Sequence, residues 1–169
     1  MTPRLLRASP RPAQSRSVMG SVKASTPSIR RLLVPLDFSG KSRQALQYAV
    51  PIAKKFGAKI VLLHVASTPV YPMAEMPIVV NLPTDDRKPA QKRLEVMATQ
   101  LIPPELYAGG VVLMGNPARQ ILATAAKHRI DLIILSTVGR TGLKRILLGS
   151  TAEHVVRHSL CPVLTVRRR

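Results

Sequence analysis

The sequence predicts an α/β domain in which helices cover a parallel sheet, and three observations carry that prediction. From Ile29 onward, five short apolar runs alternate with longer segments of helical period, the pattern of repeated βαβ units. Together they make one unit of about 140 residues without internal repeat, the size of a doubly wound domain. The 169 residues are 46% hydrophobic, enough for one sizeable core, which excludes a wholly disordered chain.

The elements follow in order. Arg31 to Leu36 (RLLVPL) reads as the first strand, ending where Pro35 removes a donor. Ser39 is placed to cap a helix that presents Leu46, Ala49, Val50, Ala53 and Phe56 at spacings of three and four and ends at Gly57. Pro51 inside that helix costs a backbone hydrogen bond and predicts a kink. Lys59 to Ala66 (KIVLLHVA) is the second strand, apolar enough for burial on both faces. Ser67 to Pro83, with four prolines, reads as a long loop able to cover a pocket. Thr84, Asp85 and Asp86 open a second helix through Leu94, Met97, Ala98 and Leu101, stopped by Pro103-Pro104.

Gly109-Gly110 leads into a third strand at Val111 to Met114, and Asn116-Pro117 is an N-cap followed by proline at the first helical position. The helix it starts carries Ile121, Leu122 and Ala125, and Asp131 to Leu135 is the fourth strand. Ser150-Thr151-Ala152-Glu153 reads as a capping box opening the last helix, and Pro162 to Val166 closes the sheet.

Charge and composition narrow the function classes. Lys and Arg number 26 against 8 Asp and Glu, a formal charge of +18. Residues 1–28 hold five of those cations and no acid, so they read as a disordered basic extension before the domain at 29–169. Such a tail attaches to nucleic acid or anionic lipid only through salt-sensitive counterion release, and no base-reading motif accompanies it. A targeting peptide fits it poorly, because Leu5-Leu6 is too short a run and the prolines spoil an amphipathic helix; a start at Met19 is a simpler origin. No apolar run is long enough to span a membrane. The single cysteine, Cys161, excludes an internal disulfide framework and points to a reducing, cytoplasmic setting.

Gly40-Lys41-Ser42 ends like a phosphate loop, but the position that needs the upstream glycine is Pro35, so it reads as a helix start. His154 and His158 share a helix face without a third ligand or a general-base Glu between them. His64 reads as a hydrogen-bonded core residue, His128 as solvent-facing, and Cys161 as a small buried residue. Gly139-x9-Gly149-Ser150-Thr151 is different, since it joins a strand end to a helix N-terminus where glycine amides and the helix dipole can hold an anion. Arg140, Lys144 and Arg145 raise the positive potential there.

Val34-Pro35-Leu36-Asp37-Phe38-Ser39, Leu62-Leu63-His64-Val65, Gly115-Asn116-Pro117, Gly139-Arg140-Thr141-Gly142-Leu143 and Leu148-Gly149-Ser150-Thr151-Ala152-Glu153 occur in one order and spacing. Read with His158 to Leu164, they resemble the universal stress protein family in its nucleotide-binding form. The resemblance implies an open five-stranded parallel sheet in the order 3-2-1-4-5, Rossmann-like and similar to the adenine-nucleotide alpha hydrolases, with ATP at the carboxyl ends of strands 1 and 4. It places Pro35, Leu36 and Asp37 near the nucleoside, Val65 on adenine, and Gly139, Gly149, Ser150 and Thr151 on the phosphates. The family pattern is Gly-x2-Gly-x9-Gly-Ser/Thr, and Ser136 stands here for its first glycine.

The expected function is an ATP-binding stress-response regulator or sensor, with Mg²⁺ carried by the nucleotide near Asp37 and AMP or ADP as further ligands. Hydrolysis, if present, is expected to be slow, because beyond Asp37 no residue is identified to position a water. A homodimer through the last strand is implied by the resemblance. The alternative is a nucleotide-free interaction protein of the same fold, with Ser136 as its sign.

Overall fold

A computed structural model describes residues 28–66, 71–73, 76–78, 87–137 and 148–167. Residues 1–27 of the basic extension, the start of the second helix at Thr84 to Asp86, and Gly139, Arg140, Lys144 and Arg145 lie outside the described residues. The elements are β1 (Arg31–Pro35), α1 (Gly40–Phe56), β2 (Lys59–Ala66), β3 (Tyr71–Met73), β4 (Met76–Ile78), α2 (Arg87–Leu101), β5 (Tyr107–Met114), α3 (Pro117–Lys127), β6 (Leu132–Ser136), α4 (Ser150–His158) and β7 (Val163–Val166).

Five strands form one parallel sheet in the order β5-β2-β1-β6-β7. With β3 and β4 set aside, this is the predicted 3-2-1-4-5. Side chains alternate across each strand, so every buried strand feeds two cores. Leu32, Val34, Ile60, Leu62 and Ile134 pack under α1 and α2 with Ala45, Leu46, Ala49 and Leu94. Leu33, Val61, Leu63, Ile133 and Leu135 pack under α3 and α4 with Ile121, Ala125 and Val155. The continuous apolar runs follow from this two-sided burial.

The chain leaves β1 toward β2 and β5, then crosses back to place β6 on the other side of β1. The β1–β6 ladder covers only Leu32–Leu132 and Leu33–Ile133. A crevice therefore opens beyond it at the carboxyl ends, where the winding direction reverses, the general ligand position in open α/β sheets.

Local chemistry explains most boundaries. Ser39 caps α1 by accepting from the Ser42 amide at 3.1 Å, and Gly57 ends the helix in the left-handed region at φ 64°. Pro51 sits on the exposed side, where water can take the carbonyl it leaves unbonded, and the helix runs through it unbroken. Asn116 caps α3 by accepting from the Arg119 amide at 3.0 Å, with Pro117 in the first turn.

Several sequence expectations are corrected. The Ser67 to Pro83 segment contains the antiparallel pair β3–β4, which the proline content hid. The third strand of the sheet starts at Tyr107 rather than Val111. Its register slips between Ile60 and Val61, and Gly109 absorbs the bulge at φ 126°, a conformation open to glycine. Asp131 precedes the fourth strand, which spans Leu132–Ser136, and its Oδ2 accepts from the amides of Arg30 and Arg31 at 2.8 and 2.9 Å, pinning the start of β1. Cys161 and His128 are both half-buried rather than buried and exposed respectively. No helix of the described residues is long and apolar enough to cross a membrane.

Candidate functional site

The crevice has a volume of about 690 Å³ and is bounded by the ends of β1, β2 and β6 and the first turns of α2, α3 and α4. Of the residues singled out from sequence, Pro35, Leu36, Asp37, Val65, Ser136, Gly149, Ser150 and Thr151 line it together.

The β1 side is fastened by its own turn. The Leu36 amide donates to the Leu63 carbonyl at 2.7 Å, and Asp37 Oδ1 accepts from the Ser39 amide at 2.9 Å. Burial works to raise the Asp37 pKa, but hydrogen bonds from the Ser39 hydroxyl and amide and from Ser42 together outweigh it, holding the carboxyl below the ordinary aspartate value of 3.8. Asp37 is therefore an anion at neutral pH. Phe38 follows at φ 61°, a left-handed conformation that costs a non-glycine residue about 1–2 kcal/mol. Its ring lies 4.2 Å from that of His64, and the Arg93 guanidinium sits 4.5 Å from the Phe38 centroid.

Side-chain alternation along β2 divides the crevice wall. Val65 packs toward the α3/α4 core. His64, its neighbour, meets the Leu36 carbonyl through Nδ1 at 2.7 Å. It is thus the hydrogen-bonded, buried histidine expected from sequence, and it also lines the crevice.

The α4 side differs from the expected capping box. The cap is Gly149, not Ser150, with φ −69° and ψ 153°, and it supplies no side-chain acceptor to the first turn. Glu153 pairs with Arg157 at 3.0 Å instead of closing a box with Ser150. Gly149 donates its amide to the Thr137 carbonyl at 2.7 Å, and a Cβ at Gly149 would stand 3.1 Å from that oxygen. Strand end and helix start thus meet at a separation that glycine suits, and the cap leaves the first-turn amides to water or an anion.

Phe38, His64, Arg93 and Thr137 are crevice residues that sequence reading did not place there. Phe38 and Thr137 adjoin residues that were singled out, and His64 was polar within an apolar strand. Arg93 reaches the site from α2, and nothing local signals it. His154 and His158 stack with ring centroids 4.2 Å apart, exposed and away from the crevice lining. Among the described residues no three His, Cys, Asp or Glu side chains gather as a metal site.

A model of the universal stress protein family matches residues 28–167. Universal stress protein MJ0531 of Methanocaldococcus jannaschii is 34% identical over 145 residues, 82% of this chain and 82% of that protein. The solved structure of MJ0577, a Methanocaldococcus jannaschii universal stress protein, superposes with a TM-score of 0.70 at 28% identity, covering 84% of this chain and 98% of that one. A universal stress protein solved in complex with cAMP superposes with a TM-score of 0.60 at 21% identity, covering 83% and 98% of the two chains.

Proposed function

The chain belongs to the universal stress protein family, and from that premise we propose that it binds ATP in the switch-point crevice and acts as a nucleotide-dependent stress-response regulator or sensor. One observation carries the reading: the glycine-capped first turn of α4 opens onto the crevice together with the ends of β1 and β6. The relative solved with cAMP shares the fold at 21% identity; the assignment to ATP rests on this chain's own crevice.

In this reading Pro35, Leu36 and Asp37 meet the nucleoside, Val65 meets adenine, and Ser136, Gly149, Ser150 and Thr151 lie along the phosphates. Gly139, Arg140, Lys144 and Arg145 complete the phosphate side from sequence positions between β6 and α4. The residues fit a nucleotide-borne Mg²⁺: Asp37 is one ionised carboxylate in the crevice wall, and magnesium is commonly held by one or two carboxylates with substrate phosphates supplying the rest. The ion would neutralise phosphate charge that a carboxylate alone repels. No second group to position a water is identified, so hydrolysis is slow or absent. ADP and AMP bind the same site with fewer phosphate contacts.

Two further parts of the reading concern its setting. We place the protein in the cytoplasm, and β7, at one edge of the sheet with Val163 and Leu164 half-buried, as the joint of a homodimer.

Thermal unfolding with and without nucleotide tests the binding. A ligand present at a hundred times its dissociation constant adds about 2.7 kcal/mol to the folded state. Saturating ATP with Mg²⁺ therefore raises the midpoint by several degrees, and AMP raises it less. An unchanged midpoint at millimolar ATP would remove the nucleotide reading and leave an interaction protein of this fold.

A further inference from the structure

We propose that the Thr137 hydroxyl is a phosphate ligand, donating to a phosphoryl oxygen held at the first turn of α4; the inference rests on the nucleotide reading above. Both backbone groups of Thr137 are committed, the amide to the Val166 carbonyl at 3.0 Å and the carbonyl to the Gly149 amide at 2.7 Å. The residue is 5% exposed, yet its Oγ1 has no hydrogen-bond partner among the described residues. A buried hydroxyl without a partner costs stability, whereas valine would fill the same space without that cost.

Packing therefore gives no reason for an oxygen here, and the position of the residue gives one. Thr137 lines the crevice where β6 ends, directly bonded to the cap of α4. The cap residue brings no side-chain acceptor, so the first-turn amides face this side as donors, the Ser150 and Thr151 hydroxyls can donate beside them, and the positive end of a nine-residue helix lies behind. An acceptor that satisfies several donors at once is an oxyanion, and the Thr137 hydroxyl is a further donor for it. Threonine suits the task because its branched side chain loses little freedom on being held.

The test compares the full-length wild type, Thr137→Val and Thr137→Ser. Two readouts are used: thermal unfolding without ligand, and ATP–Mg²⁺ titration by calorimetry with ³¹P spectra of the bound nucleotide. Thr137→Val should melt at or above the wild-type midpoint while its ATP dissociation constant weakens about tenfold, or 1.4 kcal/mol. At least one bound ³¹P resonance should shift relative to wild type, and Thr137→Ser should retain most of the affinity. A merely structural role would lower the midpoint and leave the bound phosphorus spectrum in place. Wild type that binds ATP while Thr137→Val binds equally well overturns this inference and leaves the nucleotide reading standing. Wild type that binds no ATP overturns the nucleotide reading itself.

Discussion

Replacing Gly149 with tryptophan will abolish measurable ATP binding while leaving the sheet intact. The substitution is chosen at a backbone that any residue can adopt, since Gly149 has φ −69° and ψ 153°. What a side chain meets there is the strand end, because even a Cβ would lie 3.1 Å from the Thr137 carbonyl. The strand–helix junction must give by a few tenths of an ångström, and an indole then occupies the place where a phosphate would meet the α4 amides. The expected loss is at least about 100-fold in affinity, or roughly 2.7 kcal/mol. Calorimetry measures it, with far-ultraviolet circular dichroism confirming the fold. Gly149→Trp that binds ATP as wild type does would move the phosphates away from α4.

The second large effect falls on the frame. Leu62 is fully buried at the centre of β2, paired with Val34 of β1 and Gly110 of β5, and packed in the core under α1 and α2. Leu62→Ala leaves a cavity in this core at a cost of about 3 kcal/mol. In a domain of this size that lowers the melting midpoint by roughly 10 °C. Chemical denaturation should show the same loss with an unchanged slope. A change under 1 kcal/mol would mean that the two cores collapse around the gap, contrary to the close packing described for β2.

What sequence made legible were features with a local cause. Apolar runs bounded by helical segments revealed the five strands, most strongly β1, β2 and β6, which are buried on both faces. Ser39, Gly57 and Asn116-Pro117 marked helix ends because capping is a contact within three or four residues. The crevice wall at Pro35 to Asp37, Val65 and Gly149 to Thr151 was legible through motif order.

Features with distant causes were hidden. Gly109-Gly110 read as the lead into a strand beginning at Val111, yet both pair with β2, Gly109 beside a bulge, and a Cβ on Gly110 would meet Leu94 Cδ2 at 2.5 Å. Gly149 and Ser150 are both acceptable caps in sequence. The 2.7 Å bond from the Gly149 amide to Thr137 places the cap one residue earlier than a capping-box pattern suggests. Arg93 reaches Phe38 only because α2 folds over β2, and the orphaned Thr137 hydroxyl is visible only once its surroundings close.

Isothermal titration of the wild-type protein with ATP in the presence of Mg²⁺ tests the central claim most directly. The account predicts saturable binding of one ATP per chain, with AMP bound more weakly. A folded, monodisperse sample that takes up no ATP at millimolar concentration would contradict it.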